Sequence, residues 1–480
     1  METRDHPQPC VRGKGRNAPL VSRRTAIATV ALLAVLLAGL TLAPAAGAYV
    51  SGRQLWVRTA GSSLRPASCE AMAVGSDGAV YLAGARYRVG GGVLLLTKYN
   101  AAGKRLWTAT WDGPGAADSG DAVAIAPSGN VYVAGTDRDS AYSYDIILLK
   151  YSPAGKKLWA RRYDGPAGLD DWARALVVDG SDNAYIAGTS QTTVAGLRGA
   201  VALKYSRKGQ LRWASRTDPN ANDPQSGATL ADDIALDGAR NVYLCATSTY
   251  AGYNGAFVVK FAGGDGKELG RSGGLVILGT WTVGQALAIR GSEVVMVGSY
   301  HAWDEPDPAV QQLLVERFDL TLASEWGVSA TGTAPGLDTC TDVAIDGAGN
   351  VYAAGYTFQQ VGASKRARAT LLKVMPDGTI AWQRTYVPGT KTQSWAEYVA
   401  VAGGAAYLSG YSSGDTEQDD FLTVKYSAAG VRKWVRQWKG TGHGQDHPNS
   451  VGLGRACVYV GGVGRARGDF RQIVLIKYAR

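Results

Sequence analysis

The chain alternates short apolar runs with turn residues, and the runs have the period of two that is typical of β-strands. One stretch shows the pattern clearly, with apolar runs at 122–125, 130–133, 146–149 and 158–161 that are separated by turns or a loop. Apolar runs of this length, bounded by Gly, Pro, Asn and Asp, predict strands. The stretch therefore predicts four antiparallel strands, and the helical period needed for a helical repeat array is absent.

This four-stranded unit is repeated along the chain. Each unit contains a strand with a central Tyr that ends at Gly, as in SGNVYVAG at 128–135, and then an apolar strand that ends in a basic–aromatic pair, as in Lys150-Tyr151. Both features occur eight times, and the period is about 54 residues. Eight units of four short strands predict an all-β fold, a single eight-bladed β-propeller. A seven-bladed ring fits the count less well.

A third recurring feature is a Trp in the fourth strand of a unit, and its distribution predicts how the ring closes. These Trp residues, which we interpret as structural positions of the repeat, are Trp56, Trp107, Trp159, Trp213, Trp326, Trp382 and Trp434. The last unit ends at Lys477-Tyr478, before a fourth strand can form. Residues 53–60, around Trp56, carry the missing strand, so we expect them to complete the last blade and remove two free sheet edges. The propeller would then occupy residues 49–480.

Residues 1–48 have the organisation of a signal peptide. A basic stretch ends at Arg23-Arg24, an apolar run covers 26–42, and Ala46-Gly47-Ala48 has the small residues of a cleavage site. We expect export by the Sec route, or by the Tat route because of the paired arginines, and a location outside the cell or on its surface. After cleavage no membrane span would remain; an uncleaved anchor is the alternative.

Composition and charge narrow the function classes. Gly is abundant, with 63 residues, which suits many tight turns. The net charge is +10, and much of it lies in the basic N-terminal stretch, so no basic cluster predicts nucleic-acid binding. The densest basic run, 365–368, is expected in a solvated loop. Four cysteines (Cys69, Cys245, Cys340 and Cys457) lie far apart in the repeat, and we expect them to be free and mostly buried.

The repeat resembles a known family. Units of the form D-A-x-A-I-x-x-x-G-N-V-Y-x-x-G followed by L-L-K-Y-S-x-x-G, over residues 53–480, resemble the SBBP-type β-propeller repeats of secreted bacterial proteins. The resemblance implies a propeller fold and export, but little chemistry, because such proteins are mostly of unassigned function. The family's name implies seven blades, whereas the units counted here number eight.

Long, dissimilar loops connect the second to the third strands, as at 356–369, and each blade to the next; they share one face, where binding is expected. Polar residues before the first strands should lie near the axis on this face. They are Glu70, Asp121, Asp232, Asp342 and Glu397, with Arg174 in the equivalent place of the third unit. These side chains either cap local backbone N–H groups or line a channel mouth that binds a cation or a hydroxyl-rich ligand.

Two further sets of residues have candidate chemistry. His443, Asp446 and His447 could bind a metal, although they lie in a glycine-rich loop without helical spacing. Aromatic residues in the predicted long loops, Tyr144 and Trp172 among them, could stack on sugar rings or fill gaps between blades. The Asp/Gly/Asn turns, such as 346–350, lack the carboxylates of a calcium loop and are read as hairpin turns.

These patterns favour a secreted, non-enzymatic scaffold that binds an extracellular protein or a glycan. We expect a monomer with no cofactor; calcium or another metal remains open. The alternative is a propeller enzyme. The Gly-Lys-x-Leu-Trp motif at 155–159 also resembles quinoprotein dehydrogenases, although the adjacent-cysteine pair that often accompanies the quinone is missing. A polysaccharide lyase or hydrolase would need a carboxylate pair or a metal at the mouth.

Overall fold

The computed structural model describes residues 52–62, 65–115, 117–138, 143–193, 196–217, 226–250, 253–272, 281–301, 310–389, 392–413, 419–442, 444–468 and 470–480. The predicted signal peptide and its cleavage site lie outside these residues. The described chain forms eight four-stranded antiparallel sheets, so the prediction of an all-β, eight-bladed propeller is confirmed. Within the described part, no helix is long and apolar enough to cross a membrane.

Blades 1 to 7 each consist of four strands that are consecutive in sequence, paired in the order first-second-third-fourth. Their strands are β2 (Ala71–Val74), β3 (Val80–Arg88), β4 (Gly91–Tyr99) and β5 (Arg105–Trp111); β6 (Ser119–Ile125), β7 (Val131–Arg138), β8 (Tyr144–Tyr151) and β9 (Lys157–Tyr163); β10 (Asp171–Val178), β11 (Ala184–Gln191), β12 (Arg198–Tyr205) and β13 (Leu211–Thr217); β14 (Ser226–Leu236), β15 (Val242–Tyr250), β16 (Tyr253–Phe261) and β17 (Glu268–Arg271); β18 (Trp281–Arg290), β19 (Glu293–His301), β20 (Gln312–Phe318) and β21 (Ser324–Ala330); β22 (Thr339–Ile345), β23 (Val351–Val361), β24 (Ser364–Val374) and β25 (Ile380–Thr385); and β26 (Gln393–Ala402), β27 (Ala405–Ser413), β28 (Asp419–Ser427) and β29 (Arg432–Trp438).

Blade 8 contains both ends of the described chain. Its strands β30 (His447–Leu453), β31 (Cys457–Arg465) and β32 (Arg471–Ala479) are followed in the sheet by β1 (Gln54–Ala60), which comes from the N-terminal side. In this pairing Trp56 lies opposite Lys477, and the N–H of Gly52 donates to the Ala479 carbonyl. The prediction that residues 53–60 complete the last blade is confirmed.

The eight first strands line the axis of the ring. Each of them packs against the first strands of both neighbouring blades, and β30 of blade 8 packs against β2 of blade 1. The apolar side chains of the second and third strands fill the spaces between blades; Tyr132 of blade 2, for example, packs with Ile186 and Leu203 of blade 3. The core is therefore a series of similar layers around the axis, which the repeated strand pattern specifies.

In seven of the blades, a basic residue at the end of the third strand joins the blade to its neighbour. In blade 2, Lys150 lies over the Tyr132 ring, and its Nζ donates to the Arg207 carbonyl of blade 3 at 3.1 Å; Trp159 Nε1 donates to the same oxygen. The equivalent bonds from the basic residue run from Lys98 to Pro153, Lys204 to Gly263, Lys260 to Leu320, Arg317 to Pro376, Lys373 to Ala428 and Lys477 to Ala101. The basic–aromatic pair and the Trp thus have one shared role, which is to hold the next blade.

The Trp rings also explain the glycine that precedes them in the motif. Gly155, at a φ of +83°, lies against Trp107 of the preceding blade, and a Cβ on Gly155 would be 2.7 Å from that ring. Each of the other six predicted Trp residues contacts a turn glycine in the same way: Trp56 and Gly103, Trp159 and Gly209, Trp213 and Gly266, Trp326 and Gly378, Trp382 and Gly430, and Trp434 and Gly52. Their prediction as structural positions agrees with these contacts.

The Asp/Gly/Asn turns are closed by their own aspartate. Asp346 accepts hydrogen bonds from the backbone N–H groups of Ala348 and Asn350, from the Asn350 side chain and from the Tyr352 hydroxyl. Both of its oxygens are therefore used within the turn. This geometry is that of a hairpin turn, as the sequence indicated.

Two sequence expectations about the long-loop face need correction. Residues 356–369, read as a loop, continue the β23–β24 hairpin, which turns at Gly362. Because the strands are longer than predicted, the basic run at 365–368 lies in β24, and Arg368 is completely buried there and donates to the Thr392 carbonyl.

The expectation for the four cysteines was correct: all are free and buried.

Candidate functional site

A β-bulge near the start of the first strand brings one residue of each blade to the axis. In blade 3, for example, the pairing with the second strand skips from Ala173 to Ala175, which leaves Arg174 unpaired on the axial side. The same irregularity occurs in blades 2 and 4 to 8, and Glu70 has the equivalent place immediately before β2. A bulge turns one side chain away from the sheet while the ladder continues on both sides of it.

We call these eight residues the axial ring, and they differ from blade to blade. In order from blade 1 to blade 8 they are Glu70, Asp121, Arg174, Asp232, Gln285, Thr341, Glu397 and Asn449. Sequence analysis predicted five of them. It missed Gln285, Thr341 and Asn449, whose uncharged side chains did not stand out; each lies 13 or 14 residues before a glycine of the following strand, and this spacing would have identified them.

A cavity of about 510 Å³ opens on the axis and connects opposite sides of the ring. Its lining includes Glu70, Asp121, Arg174 and Asn449 from blades 8 and 1 to 3, and Tyr398 from blade 7. Arg174 is exposed in this cavity. Asn449 Nδ2 donates to the Glu70 carboxylate at 3.2 Å and to the Cys69 carbonyl at 2.7 Å, which links blade 8 to blade 1 at the mouth.

A second cavity, of about 420 Å³, continues from the axis between blades 2, 3 and 4. It shares Asp121 and Arg174 with the first, and adds Asp232, Trp172 and Arg198. The structure therefore groups four of the predicted residues, Glu70, Asp121, Arg174 and Asp232, around connected cavities. Arg174 belongs to the blade between those of Asp121 and Asp232, and its charge acts to lower the pKa of both carboxyl groups, so this part of the mouth presents hydrogen-bond donors and acceptors.

The carboxylates of this group are held by hydroxyl groups of their own blades. Asp121 accepts hydrogen bonds from Ser119 Oγ at 2.6 Å and Thr136 Oγ1 at 2.8 Å, and Asp232 accepts one from Thr247 Oγ1 at 3.0 Å. Burial raises the pKa of Asp121, and the two hydroxyl groups oppose this change. Burial also raises the pKa of Asp232 to about 7, against the effects of Thr247 and Arg174. Asp232 is therefore partly protonated near neutral pH.

Glu397 lies on the other side of the axial ring. Burial raises its pKa to about 7, and the nearby His447 opposes this shift. Its neighbour Tyr398 lines the axial cavity. The pKa of the Tyr398 hydroxyl is raised mainly by burial and next by the charge of Glu397. Glu397 thus belongs to the same ring as the other predicted residues, although it does not line the two cavities.

Asp342 occupies a different position from the one predicted. The bulge of blade 6 places Thr341 in the axial ring, and Asp342 next to it binds backbone N–H groups of Val343, at 2.8 Å, and of Val399 in blade 7, at 2.8 Å. Asp233 makes the same bridge from blade 4 to Leu287 of blade 5. Burial raises the pKa of Asp342 to about 7. Asp342 therefore joins two blades, which is the capping role that the sequence left open.

The residues of the predicted metal site have separate partners. Both oxygens of Asp446 accept backbone N–H groups, from Gly440 at 2.5 Å and from Arg465 at 2.6 Å. His447 stacks on the Tyr411 ring, and its Nε2 lies 2.9 Å from the Asp419 carboxylate. His443 lies outside the described residues, and metal binding by these three stays a prediction. Among the described residues, the one group of three potential metal ligands is Asp145, Asp164 and Asp171.

The structure also reveals an aromatic cavity that no sequence motif indicated. It has a volume of about 280 Å³ and lies between blades 1, 2 and 3, lined by Tyr87, Tyr144 and Trp172 with Asp118 and Thr136. Trp172 and Thr136 also line the second axial cavity, so the two are adjacent. The sequence identified Tyr144 and Trp172 as candidates for sugar stacking. It did not indicate that Tyr87 lies in the same cavity.

Comparison with known proteins supports the fold and goes no further. No family model matches the chain, and no curated protein matches it. Among solved structures, the Chaetomium thermophilum protein Sqt1 is similar with a TM-score of 0.51 and 9% identity, covering 86% of this chain and 95% of that one. The same protein bound to the N-terminus of ribosomal protein L10 has a TM-score of 0.50 and 9% identity, covering 89% and 100%. The polysaccharide lyase Uly1 has a TM-score of 0.46 and 11% identity, covering 75% and 90%.

Proposed function

We propose that the chain is an exported propeller of the SBBP-repeat type that binds a hydroxyl-rich ligand, a glycan in the first place, at the axial mouth without transforming it. The observation that carries the proposal is the axial ring. Seven equivalent bulges, together with Glu70 immediately before β2, place eight side chains around the axis, and these side chains are different although the strands around them are alike. A purely structural position in a repeat would be expected to keep one residue type, as the Tyr and Trp positions largely do.

The chemistry of the mouth suits hydroxyl groups. Glu70, Asp121 and Asp232 offer acceptors, whereas Arg174 offers donors, within two connected cavities. A sugar hydroxyl donates one hydrogen bond and accepts others, so alternating acceptors and donors match it. Trp172, which borders the second cavity, provides an aromatic face of the kind that stacks on a pyranose ring.

The binding proposal can be tested with a glycan array and with soluble polysaccharides. We expect the mature chain, residues 49–480, to bind a subset of glycans, and the double variant Asp121→Asn/Arg174→Ala to lose about tenfold or more in affinity. Lys104→Ala is the control, because Lys104 is exposed in a short turn on the opposite face of the ring. Equal binding by the double variant and the wild type would contradict a ligand site at the axial mouth.

An enzyme that cleaves polysaccharide is the second candidate, and one observation favours it. Asp232 and Glu397 have pKa values of about 7, which suits groups that exchange protons near neutral pH. Incubation of bound polysaccharide with the protein, followed by an assay for new reducing ends and unsaturated sugars, separates the two candidates. Products that disappear in Asp232→Asn or Glu397→Gln would establish catalysis and overturn the non-enzymatic proposal.

Export is a separate part of the proposal and has its own experiment. Residues 1–48 fused to a reporter that is active only after export should give activity, and replacing Arg23-Arg24 by two lysines should abolish it only if the Tat route is used. A reporter that stays inactive with both sequences would contradict export.

A further inference from the structure

We infer that the aromatic cavity between blades 1, 2 and 3 binds an alkylated ammonium group, such as a quaternary ammonium, carried by the ligand of the long-loop face. The inference rests on the proposed function, because this cavity borders the second axial cavity through Trp172 and Thr136. It adds a chemical class of ligand that the axial ring alone does not specify.

The walls of the cavity are aromatic and come from three different blades. Tyr87 belongs to β3, Tyr144 to β8 and Trp172 to β10, so each ring is held by a separate sheet. The volume of about 280 Å³ is large enough for a trimethylammonium group and too small for an extended chain. Aromatic rings around such a cavity attract a cation through the negative potential of their faces, and aromatic cages of this kind recognise quaternary ammonium groups.

The charge of the lining favours a cation. Asp118 is buried and lines the cavity, and none of the described residues that line it is a Lys or an Arg. The Oδ2 atom of Asp118 accepts the N–H of Gly113 at 2.7 Å, and its Oδ1 atom has no hydrogen-bond donor among the described residues. A buried carboxylate oxygen without a donor is costly, and a cation in the cavity would compensate for it.

Further carboxylates lie behind Asp118. Asp137 and Asp145 are 1% exposed and face each other across the β7–β8 pair, and Arg162 contacts both of them. The pKa of Asp137 is raised to about 7, mainly by burial and next by the interaction with Asp118. Arg162 acts to lower this pKa. Three carboxyl groups thus lie close together, Arg162 contacts two of them, and a cation bound in the cavity would add positive charge beside the third, Asp118.

Two arginines next to the cavity do not occupy it. The guanidinium of Arg198 lies 4.5 Å from the Trp172 ring centroid, and that of Arg138 lies 5.6 Å from the Tyr144 ring centroid. Neither lines the cavity. Both rings thus already contact guanidinium groups that lie outside the cavity lining, and a ligand would use the ring surfaces that face the interior.

The test compares two ligands of the same shape on the wild-type protein. Choline carries a trimethylammonium group, and 3,3-dimethylbutan-1-ol has the same shape without the charge. In titration calorimetry, or in titrations followed by Trp fluorescence, we expect choline to bind at least about tenfold more tightly than the alcohol. Equal binding of the two, or binding of methyl glucoside in preference to choline, would overturn the inference and indicate an apolar or a sugar site instead.

Two variants assign the binding to this cavity. Asp118→Asn keeps an acceptor for Gly113 and removes the charge, and Tyr144→Leu keeps an apolar side chain and removes one ring face; each should weaken choline about fivefold to tenfold. Asp338→Asn is the matched control, because Asp338 accepts the N–H of Gly332 at the equivalent position of blade 6. If Asp118→Asn does not fold, Tyr144→Leu and the ligand pair still decide the question.

The outcomes separate this inference from the proposed function. Loss of choline binding in Tyr144→Leu with normal glycan binding would support both statements. Glycan binding at the axial mouth without any preference for choline over its neutral analogue would overturn the ammonium site alone. Choline binding without binding of any glycan would support the ammonium site and count against the glycan proposal.

Discussion

Gly52 lies against the indole ring of Trp434, so closely that a Cβ on Gly52 would be 2.6 Å from two atoms of that ring. This contact joins Gly52, two residues before β1, to blade 7, and the Gly52 carbonyl also accepts a hydrogen bond from Arg436 Nε at 2.6 Å. β1 therefore has two functions in the ring. β1 supplies the fourth strand of blade 8, and Gly52, which precedes β1, makes the turn contact with Trp434 of blade 7.

Gly52→Ala should destabilise the protein by about 1–3 kcal/mol, because the methyl group clashes with Trp434 and the φ of +77° disfavours alanine. The free energy of unfolding in urea, followed by Trp fluorescence, measures this. Gly404→Ala is the control, since Gly404 has a φ of +72° and its Cβ would meet no atom closer than 3.7 Å. Equal losses in both variants would show that the contact with Trp434 has no effect on stability.

Deletion of residues 49–60 should open the ring. The free edge of β32 would then lose its partner, and the apolar face that Trp56 covers would be exposed. We expect a loss of more than about 5 kcal/mol, comparable to the stability of a whole domain. An unchanged melting temperature would refute the role of β1 in closure. A synthetic peptide of residues 50–62, added to the deleted protein, should restore much of the stability, and the same peptide with Trp56→Ala should restore less.

The stability of the protein should depend on pH through the buried carboxylates. Burial raises the pKa of Glu397 to about 7 in the folded state, above its ordinary value near 4.3 when unfolded. The folded state thus binds the proton more tightly, so this group stabilises the fold most below about pH 4 and the stabilisation is lost as the pH rises through 7. Glu397→Gln should therefore melt at a higher temperature than the wild type at pH 8.

The same variant provides its own control at lower pH. The difference in melting temperature between Glu397→Gln and the wild type should become smaller as the pH falls from 8 to 5, because the wild-type carboxyl group becomes protonated over this range. A constant difference between pH 5 and pH 8 would show that the substitution acts through packing and not through the charge.

Asp346→Ala should destabilise the protein by about 2–4 kcal/mol, because four hydrogen bonds converge on this carboxylate and one of them comes from the buried Tyr352 hydroxyl. Thermal or urea unfolding would measure the loss. Asp377→Ala is the matched control: Asp377 lies in an exposed turn and accepts the N–H of Thr379 at 2.9 Å, so its loss should be under about 1 kcal/mol. If the two variants lose the same stability, the turn network around Asp346 contributes less than its geometry implies.

The fold could be predicted because the strand pattern of one blade recurs in every unit of the repeat. Most blades carry the same Tyr, the same basic–aromatic pair and the same Trp, so a weak copy such as Val295 in blade 5 or Leu269 in blade 4 does not hide the pattern. Closure could be predicted for the same reason, since one strand was missing at the C-terminal end and present at the N-terminal end. These features depend on local sequence and on the count of units.

The site could be predicted only in part, because its position depends on geometry that the sequence does not state. A bulge moves the axial position by one residue without changing the apolar pattern, and for this reason Asp342 was predicted where Thr341 lies. The aromatic cavity unites Tyr87, Tyr144 and Trp172, which share no motif and meet only when three blades are placed side by side. Arg368 was misread because a hairpin longer than the repeat average looks like a loop.

The pairing of β1 with β32 sets the order in which the molecule can be completed. Residues 54 and 478 are partners, so the first strand to emerge during synthesis must wait for the last one before either has its hydrogen bonds. If the chain is threaded through a membrane from its N-terminus, β1 arrives first and remains an unpaired edge while seven blades assemble behind it. Loss of β32 would leave β1 without its partner, and a chain truncated in this way would have unpaired strand edges even with seven blades complete.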